Sequence, residues 1–333
     1  MNKDESLKDR VIVITGASSG AGRAIAEELA RHGATLVLAA RNKDNLDTVQ
    51  VECEALGSTA MCISTDVKSY DEVCALADQA IERFGKIDVW VNNAGVLAAG
   101  EFDHTPMDVH QGVIQTNLMG YIHGAHVILP HFKKQNSGIL INNISIGGFL
   151  PVPFGTAYSS SKFGLRGFSE ALQAELSAWE NIHICDLFPA FLDTPGIRHA
   201  ANYTGKVLKP APPVYDPRRV AETVYQRILH PRKVTHIGSA SYGLQGMHAL
   251  LPKFMTMATA WVMKGYFRTA KTISPNPGNV KETLDFGSAI DGGHGLPGKP
   301  KTYRKYIAGT TILLAGSFLL LLGRRGSRSP YKP

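Results

Sequence analysis

Tyr158 and Lys162, the ends of the run YSSSK, stand four residues apart, a short distance after Ser145. On a helix, side chains at i and i+4 lie one above the other, so an ammonium would sit beside a phenol. A free tyrosine has a pKa of about 10 and exchanges its proton poorly at neutral pH. A neighbouring cation favours the phenolate and draws the group toward the range in which a general acid or base works well. The plainer reading is a chance pairing on one face of a helix, and the pair alone does not separate the two.

Such a pair needs a rigid frame. Residues 11–15, VIVIT, are a short β-branched apolar run, followed by GASSGAG and then by AIAEELARHG, where apolar residues recur at helical spacing and Gly33 can end the helix. Gly16, Gly20 and Gly22 allow a sharp turn and the close approach of a pyrophosphate to amides at a helix N-terminus. The spacing is TGxxxGxG rather than the commoner GxGxxG, and a flexible turn without a ligand is the alternative. The alternation continues with strand 35–40, helix 43–56, strand 60–65, helix 70–84 and strand 88–92. This predicts an α/β chain: a Rossmann-like doubly wound parallel sheet of about seven strands, with right-handed crossovers and a ligand crevice at the carboxyl ends of the strands.

The end of the second strand reads Ala39, Ala40, Arg41. A dinucleotide fold that selects NAD usually places an acid there for the ribose 2′-hydroxyl. Here no carboxylate would repel a 2′-phosphate, and a guanidinium is available to pair with one through charge-assisted bonds. The expected cofactor is NADP(H), with Arg41 as selector; the alternative is a solvated loop arginine.

TGASSGAG at 15–22, Asp66-Val67, NNAG at 92–95, Asn117 in QTNLMG, Ser145 in NNISIGG and YSSSK at 158–162 occur in order. Together they resemble the short-chain dehydrogenase/reductase family over roughly residues 8–240. The resemblance implies that Tyr158 is the proton donor for carbonyl reduction and the acceptor in reverse. Lys162 would lower the Tyr158 pKa and bind the nicotinamide ribose, Ser145 would hold the substrate oxygen, and Asn117 would support a water relay from Lys162 to solvent. A hydroxyl donor already in place suits the charge developing on that oxygen. The implied cofactor contacts are Thr15, Gly16, Ser18, Ser19, Gly20, Gly22, Asp66, Val67, Asn93, Ala94 and Gly95, with Tyr158 and Lys162 again. Asn93 would also steady the sheet, and Asp66 has a helix cap as its plainer role. In PAFLDT the family pattern PGxxxT keeps Pro189 and Thr194, the latter facing the nicotinamide carboxamide, but Ala190 replaces the glycine. An alanine with φ above zero would be strained, so the family's turn is in question there.

The chain has 333 residues, 44% hydrophobic and 19% charged, with a formal net charge of +7. From Leu296 onward there are Lys299, Lys301, Arg304, Lys305, Arg324, Arg325, Arg328 and Lys332 and no acid, so the remaining body carries 35 − 8 = 27 basic against 28 acidic residues. No basic face for nucleic acid is expected. Cys53, Cys62, Cys74 and Cys185 lack metal or disulfide spacing and suit a reducing compartment. His104, His110, His123, His126 and His131 cluster in sequence without completing a metal site, and no metal is expected. The polar opening MNKDESLKDR carries no secretory signal.

After Thr194 the chain turns to the substrate. Residues 194–216 read as an irregular excursion of the kind that forms a lid. Residues 242–267 are rich in Met and aromatics, which suits core packing, an adaptable wall for a lipophilic substrate, or a surface resting on a membrane. Residues 307–323 carry no charge and, at about 25 Å as a helix, approach the roughly 30 Å of a hydrocarbon core.

The expected organisation is a polar lead (1–10), a dehydrogenase domain (11–240), an apolar helical extension capping the substrate (241–270), a flexible linker (271–300), a single transmembrane helix with flanks (303–325) and a basic tail (326–333). The expected activity is NADP(H)-dependent interconversion of a ketone or aldehyde and its alcohol on a lipophilic small molecule, with the catalytic domain anchored on the cytosolic face of a membrane. The rival is a catalytically silent NADP-binding scaffold or sensor of the same fold. A further variant is a soluble homo-oligomer joined by the tail helix.

Overall fold

β-Branched and aliphatic runs bounded by glycine and polar turns become strands when both faces of a sheet are to be covered. The computed structural model describes residues 6–283 and 287–294. Its strands are β1 (Val11–Thr15), β2 (Thr35–Ala40), β3 (Thr59–Ser64), β4 (Val89–Asn92), β5 (Ala98–Ala99), β6 (Gly138–Asn143), β7 (Ile182–Pro189), β8 (Ala201–Asn202) and β9 (Val234–Ile237). All but the short pair β5 and β8 form one seven-stranded parallel sheet in the order β3-β2-β1-β4-β6-β7-β9. The order reverses between β1 and β4, the switch point at which such sheets open a crevice beyond their carboxyl ends.

Helices α1 (Gly20–Arg31), α2 (Lys43–Ala55), α3 (Tyr70–Phe84), α4 (Met107–Ile114), α5 (Gly120–Gln135), α6 (Thr156–Glu175) and α7 (Arg218–Leu229) cover the two faces. The period of two along β1 divides the core. Ile12 and Ile14 pack with Ile25, Leu29 and Val224, from α1 and α7, whereas Val11 and Val13 pack with Leu76, Ile128 and Phe132, from α3 and α5. Each such fully buried aliphatic or aromatic side chain stabilises the fold by roughly 1.5–3 kcal/mol. Local signals fix the helix ends: the Asn42 side chain accepts from the Asn45 amide, Ser69 accepts from Glu72, and Gly85 takes the left-handed conformation after α3. Ser69 therefore fills the capping role considered for Asp66.

Two helices follow the sheet, α8 (Ser239–Leu250) and α9 (Pro252–Thr269), packed against each other. Beyond them the reading of 271–300 as a linker meets a different arrangement. Thr272 and Asn276 bridge to Lys206 and Asn202, and Val280 and Ile290 are buried at 1% and 7% exposure. Within the described residues 271–283 and 287–294, glycine and proline mark turns of a segment that returns to the body.

The expected architecture is corrected in one respect. It was to include a transmembrane helix, and among the described residues no helix is long and apolar enough to cross a membrane. The stretch 303–325 on which that expectation fell, and the tail after it, lie outside the described residues.

Candidate active site

The glycine turn after β1 is shaped by close approach. Gly16 has φ +67°, and a Cβ there would lie 2.7 Å from Ala94 Cα; a Cβ on Gly22 would lie 2.0 Å from the Gly16 carbonyl oxygen. Only glycine allows α1 to start this close to β1. Asn93 locks the turn from the side, its Nδ2 donating to the carbonyls of Thr15 and Gly16 at 3.0 and 3.2 Å. Asn143 Nδ2 donates to the Asn93 Oδ1 at 2.9 Å and so ties β6 to the same turn.

Ser145 follows β6 and caps a short 3₁₀ turn over Ile146–Gly148. Its backbone, at φ 112° and ψ 156°, occupies a region that is nearly exclusive to glycine. The Gly147 amide donates to Ser145 Oγ at 3.2 Å, and the Ser145 amide donates to the Leu187 carbonyl, which together hold the strained residue in place. A Cβ on Gly147 would stand 2.9 Å from Tyr158 Cε1, so that glycine makes room for the phenol ring.

Tyr158 and Lys162 occupy the first two turns of α6. Ser145 stands near enough to the Tyr158 hydroxyl to draw the phenol down. Lys162 is 4% exposed, with Nζ 5.0 Å from the Tyr121 ring centroid and 5.8 Å from that of Tyr158. Burial pushes the Tyr158 phenol up, opposed by Ser145, and brings Lys162 down to about 7. The amine thus yields to its own desolvation, and the phenol lies above its ordinary value, contrary to the lowering by Lys162 that the resemblance implies.

Asn117 lies in a π-helical turn, Gln115–Met119. Its Oδ1 accepts from the Val96 amide at 2.8 Å, and its Nδ2 donates to the Val96 carbonyl at 2.9 Å and to Ser161 Oγ at 3.3 Å. The side chain clamps the loop after β4 against α6 and does not line the cleft. Thr15 likewise lies behind it, with Oγ1 donating to the Val91 carbonyl and accepting from the Asn93 and Ala94 amides. The other residues expected from the sequence all line one continuous cleft of about 2120 Å³: Gly16, Ser18, Ser19, Gly20, Gly22, Arg41, Asp66, Val67, Asn93, Ala94, Gly95, Ser145, Tyr158, Lys162, Pro189 and Thr194. That volume exceeds the roughly 300–1,000 Å³ of a drug-sized pocket and accommodates a dinucleotide with a further ligand.

Ala190 needs no special conformation. Among the described residues only Asn136, Ser145 and Phe154 combine a side chain with positive φ, and the Ala190 amide donates to the Ile237 carbonyl as a continuation of β7. The Asp66 carboxylate accepts from the Lys68 amide and pairs with its ammonium at 3.2 Å, which shapes the loop after β3 at the cleft edge.

The return of the chain after α9 to the cleft is not legible in the residues. Asn279 contributes a carbonyl that accepts from Arg41 Nη2 at 2.6 Å, and the Ala289 carbonyl accepts from the Gly20 amide at 3.0 Å. Both contacts are through backbone groups, which no side-chain pattern announces.

Chemically, the cleft brings a phenol, a serine hydroxyl and an amine whose pKa is drawn down to about 7 to one end, and a glycine turn and a guanidinium to the other. A sequence model of the short chain dehydrogenase family matches residues 10–202. An uncharacterised oxidoreductase of Bacillus subtilis, YxnA, is 34% identical over 256 residues, covering 75% of this chain and 71% of that protein. The 3-ketodihydrosphingosine reductase of Bos taurus is 31% identical over 278 residues, covering 80% and 83%. Among solved structures, a short chain dehydrogenase/reductase from Burkholderia phymatum in complex with NAD superposes with a TM-score of 0.63 at 26% identity, over 83% of this chain and 99% of that one. A metagenomic short-chain oxidoreductase in complex with NADP gives 0.60 at 28% identity, over 70% and 97%.

Proposed function

This chain belongs to the short-chain dehydrogenase family, and on that premise we propose that it interconverts a carbonyl and an alcohol on a lipophilic small molecule, with NADP(H) as cofactor. The observation that carries the reading is the continuity of the cleft. One cavity runs from Arg41 past the glycine turn to Ser145, Tyr158 and Lys162, and on between the apolar side chains of α8 and α9.

A nicotinamide dinucleotide, when bound, supplies or takes up the hydride. The protein's part is to bind, orient and exchange a proton. Ser145 Oγ already accepts the Gly147 N–H, so its own proton is available for a substrate oxygen. Tyr158, beside Ser145, is the proton donor when that oxygen becomes an alkoxide. Lys162, with its pKa near 7, can pass a proton at physiological pH. Solved relatives hold either NAD or NADP, so the cofactor preference rests on Arg41 and on the absence of a carboxylate at Ala39 and Ala40. The bovine relative is named for a 3-keto sphingoid lipid, and the Met- and aromatic-rich wall here suits a ketone on a long apolar body.

The test is loss of NADPH absorbance with a panel of lipophilic ketones and aldehydes. Wild type turns over at least one of them, and Tyr158→Phe loses roughly 10²-fold or more in kcat while binding NADPH within a few-fold of wild type. Equal turnover by Tyr158→Phe would leave a nucleotide-binding protein without this chemistry.

A further inference from the structure

Among the described residues, the most exposed large apolar side chains lie on the α8–α9 pair. On α9, Lys253, Phe254, Met257, Trp261, Lys264 and Arg268 recur at three- and four-residue intervals and come out on one side of the helix, all of them exposed. Trp261 is 78% exposed, Met257 72% and, at the turn between the helices, Leu250 81%. Scattered exposed apolar residues are ordinary, but a contiguous run on one element marks a contact surface. Between Glu222 and Glu282 the chain has no acidic residue, so nothing in this segment neutralises the basic ones.

Trp261, Met257 and Val262 are at once exposed and part of the cleft lining, so they form the rim of its mouth. The charge on the face decides what it meets. A second copy across a two-fold axis would set the same patch against itself, bringing Lys253, Lys264 and Arg268 toward their own equivalents. An apolar stripe flanked by lysine and arginine instead matches a bilayer whose headgroups are anionic, with Trp at the interfacial level.

We propose that the α8–α9 face seats the protein on an anionic lipid surface with the cleft mouth against the lipid, so that a lipophilic substrate enters from the bilayer and not from water. The seat stands on the surface alone, and the entry route rests on the function proposed above.

The full chain is mixed with vesicles of phosphatidylcholine, with and without phosphatidylglycerol, and Trp261 emission is followed with brominated-chain lipids as quencher. Trp261→Phe supplies the contribution of Trp90 and Trp179. Because the signal comes from Trp261, it reports this helix whatever other segment touches the vesicle. Quenching that requires phosphatidylglycerol and disappears in Trp261→Phe is the expected result. Leu250→Glu combined with Lys264→Glu, both outside the cleft lining, should reduce the Trp261 signal roughly tenfold or more at equal lipid. The same variant should keep turnover of a short water-soluble ketone and lose turnover of a vesicle-borne one. Trp261 emission indifferent to both vesicles overturns the seat, as does a lipid-free, concentration-dependent burial of Trp261, which would assign the face to a second copy. Quenching without reduction of any ketone would leave the seat standing and refute the chemistry; reduction of a short ketone without quenching would do the reverse.

Discussion

The Lys162 ammonium lies nearer the ring of Tyr121 than that of Tyr158, at 5.0 against 5.8 Å, although Tyr158 is its neighbour one helical turn away. Lys162 is thus enclosed between two phenols, and Tyr121 is anchored by donating to the Asn143 carbonyl at 2.8 Å. Both tyrosines are pushed up by burial, and Lys162 is pulled down by it. The dominant influence on these three groups is dehydration.

That enclosure makes stability depend on pH. Lys162 falls from 10.5 in the open chain to about 7 in the folded one. Between those values the unfolded chain holds more protons, so this residue makes stability rise with pH, and it costs most below pH 7, where the buried amine is charged. Lys162→Met should therefore be more stable than wild type at pH 6. Its advantage should shrink, by at most about 1.4 kcal/mol per pH unit, as pH approaches 10. Urea denaturation at pH 6 and pH 9 checks this, and a constant difference would refute it.

Ser145 tests whether backbone strain resides in the site. Ser145→Ala and Ser145→Gly both remove the hydroxyl and the bond from the Gly147 amide, and both should reduce turnover. Only glycine relaxes φ 112°, so Ser145→Gly should exceed Ser145→Ala in stability by about 1–3 kcal/mol. Equal melting temperatures would argue against strain.

Arg41 bears on cofactor choice. Arg41→Ala leaves the Asn279 carbonyl without this donor and removes the guanidinium that follows β2. On the proposed NADP(H) reading, the ratio of kcat/KM for NADPH to that for NADH should drop roughly 10- to 100-fold, the worth of a charged hydrogen-bonding group at about 1.5–3 kcal/mol. An unchanged ratio would assign Arg41 to holding the C-terminal return alone.

Two helical glycines should respond in opposite directions. Gly22→Ala drives a methyl into the Gly16 carbonyl and should lose both stability and dinucleotide binding. Gly167→Ala, in α6, meets nothing within 4 Å and should stabilise by roughly 0.5–1 kcal/mol through helix propensity. Thermal melts with and without NADPH separate the two.

What could be read from the residues alone was whatever is decided locally. The strand–glycine–helix opening, the βα alternation and the spacing from Tyr158 to Lys162 each depend on neighbours within a few turns, and they led to the sheet; the resemblance to a known family added the residues at the strand ends, while the long apolar part of the cleft wall, from Leu208 to Phe267, was not legible residue by residue. Asn117 and Thr15 were recognised by position, yet their side chains turn to the backbone behind the cleft, because an amide or hydroxyl beside unpaired buried backbone groups is captured by them. Ala190 raised a concern that the β7 ladder removes. The tertiary structure alone decided the rest: Lys162 is drawn down to about 7 because three-dimensional packing strips its water, Arg41 meets Asn279 from 238 residues away, and the cleft ends on the α8–α9 face. Dehydration and the return of a distant segment are properties of the folded volume, and no spacing along the chain encodes them.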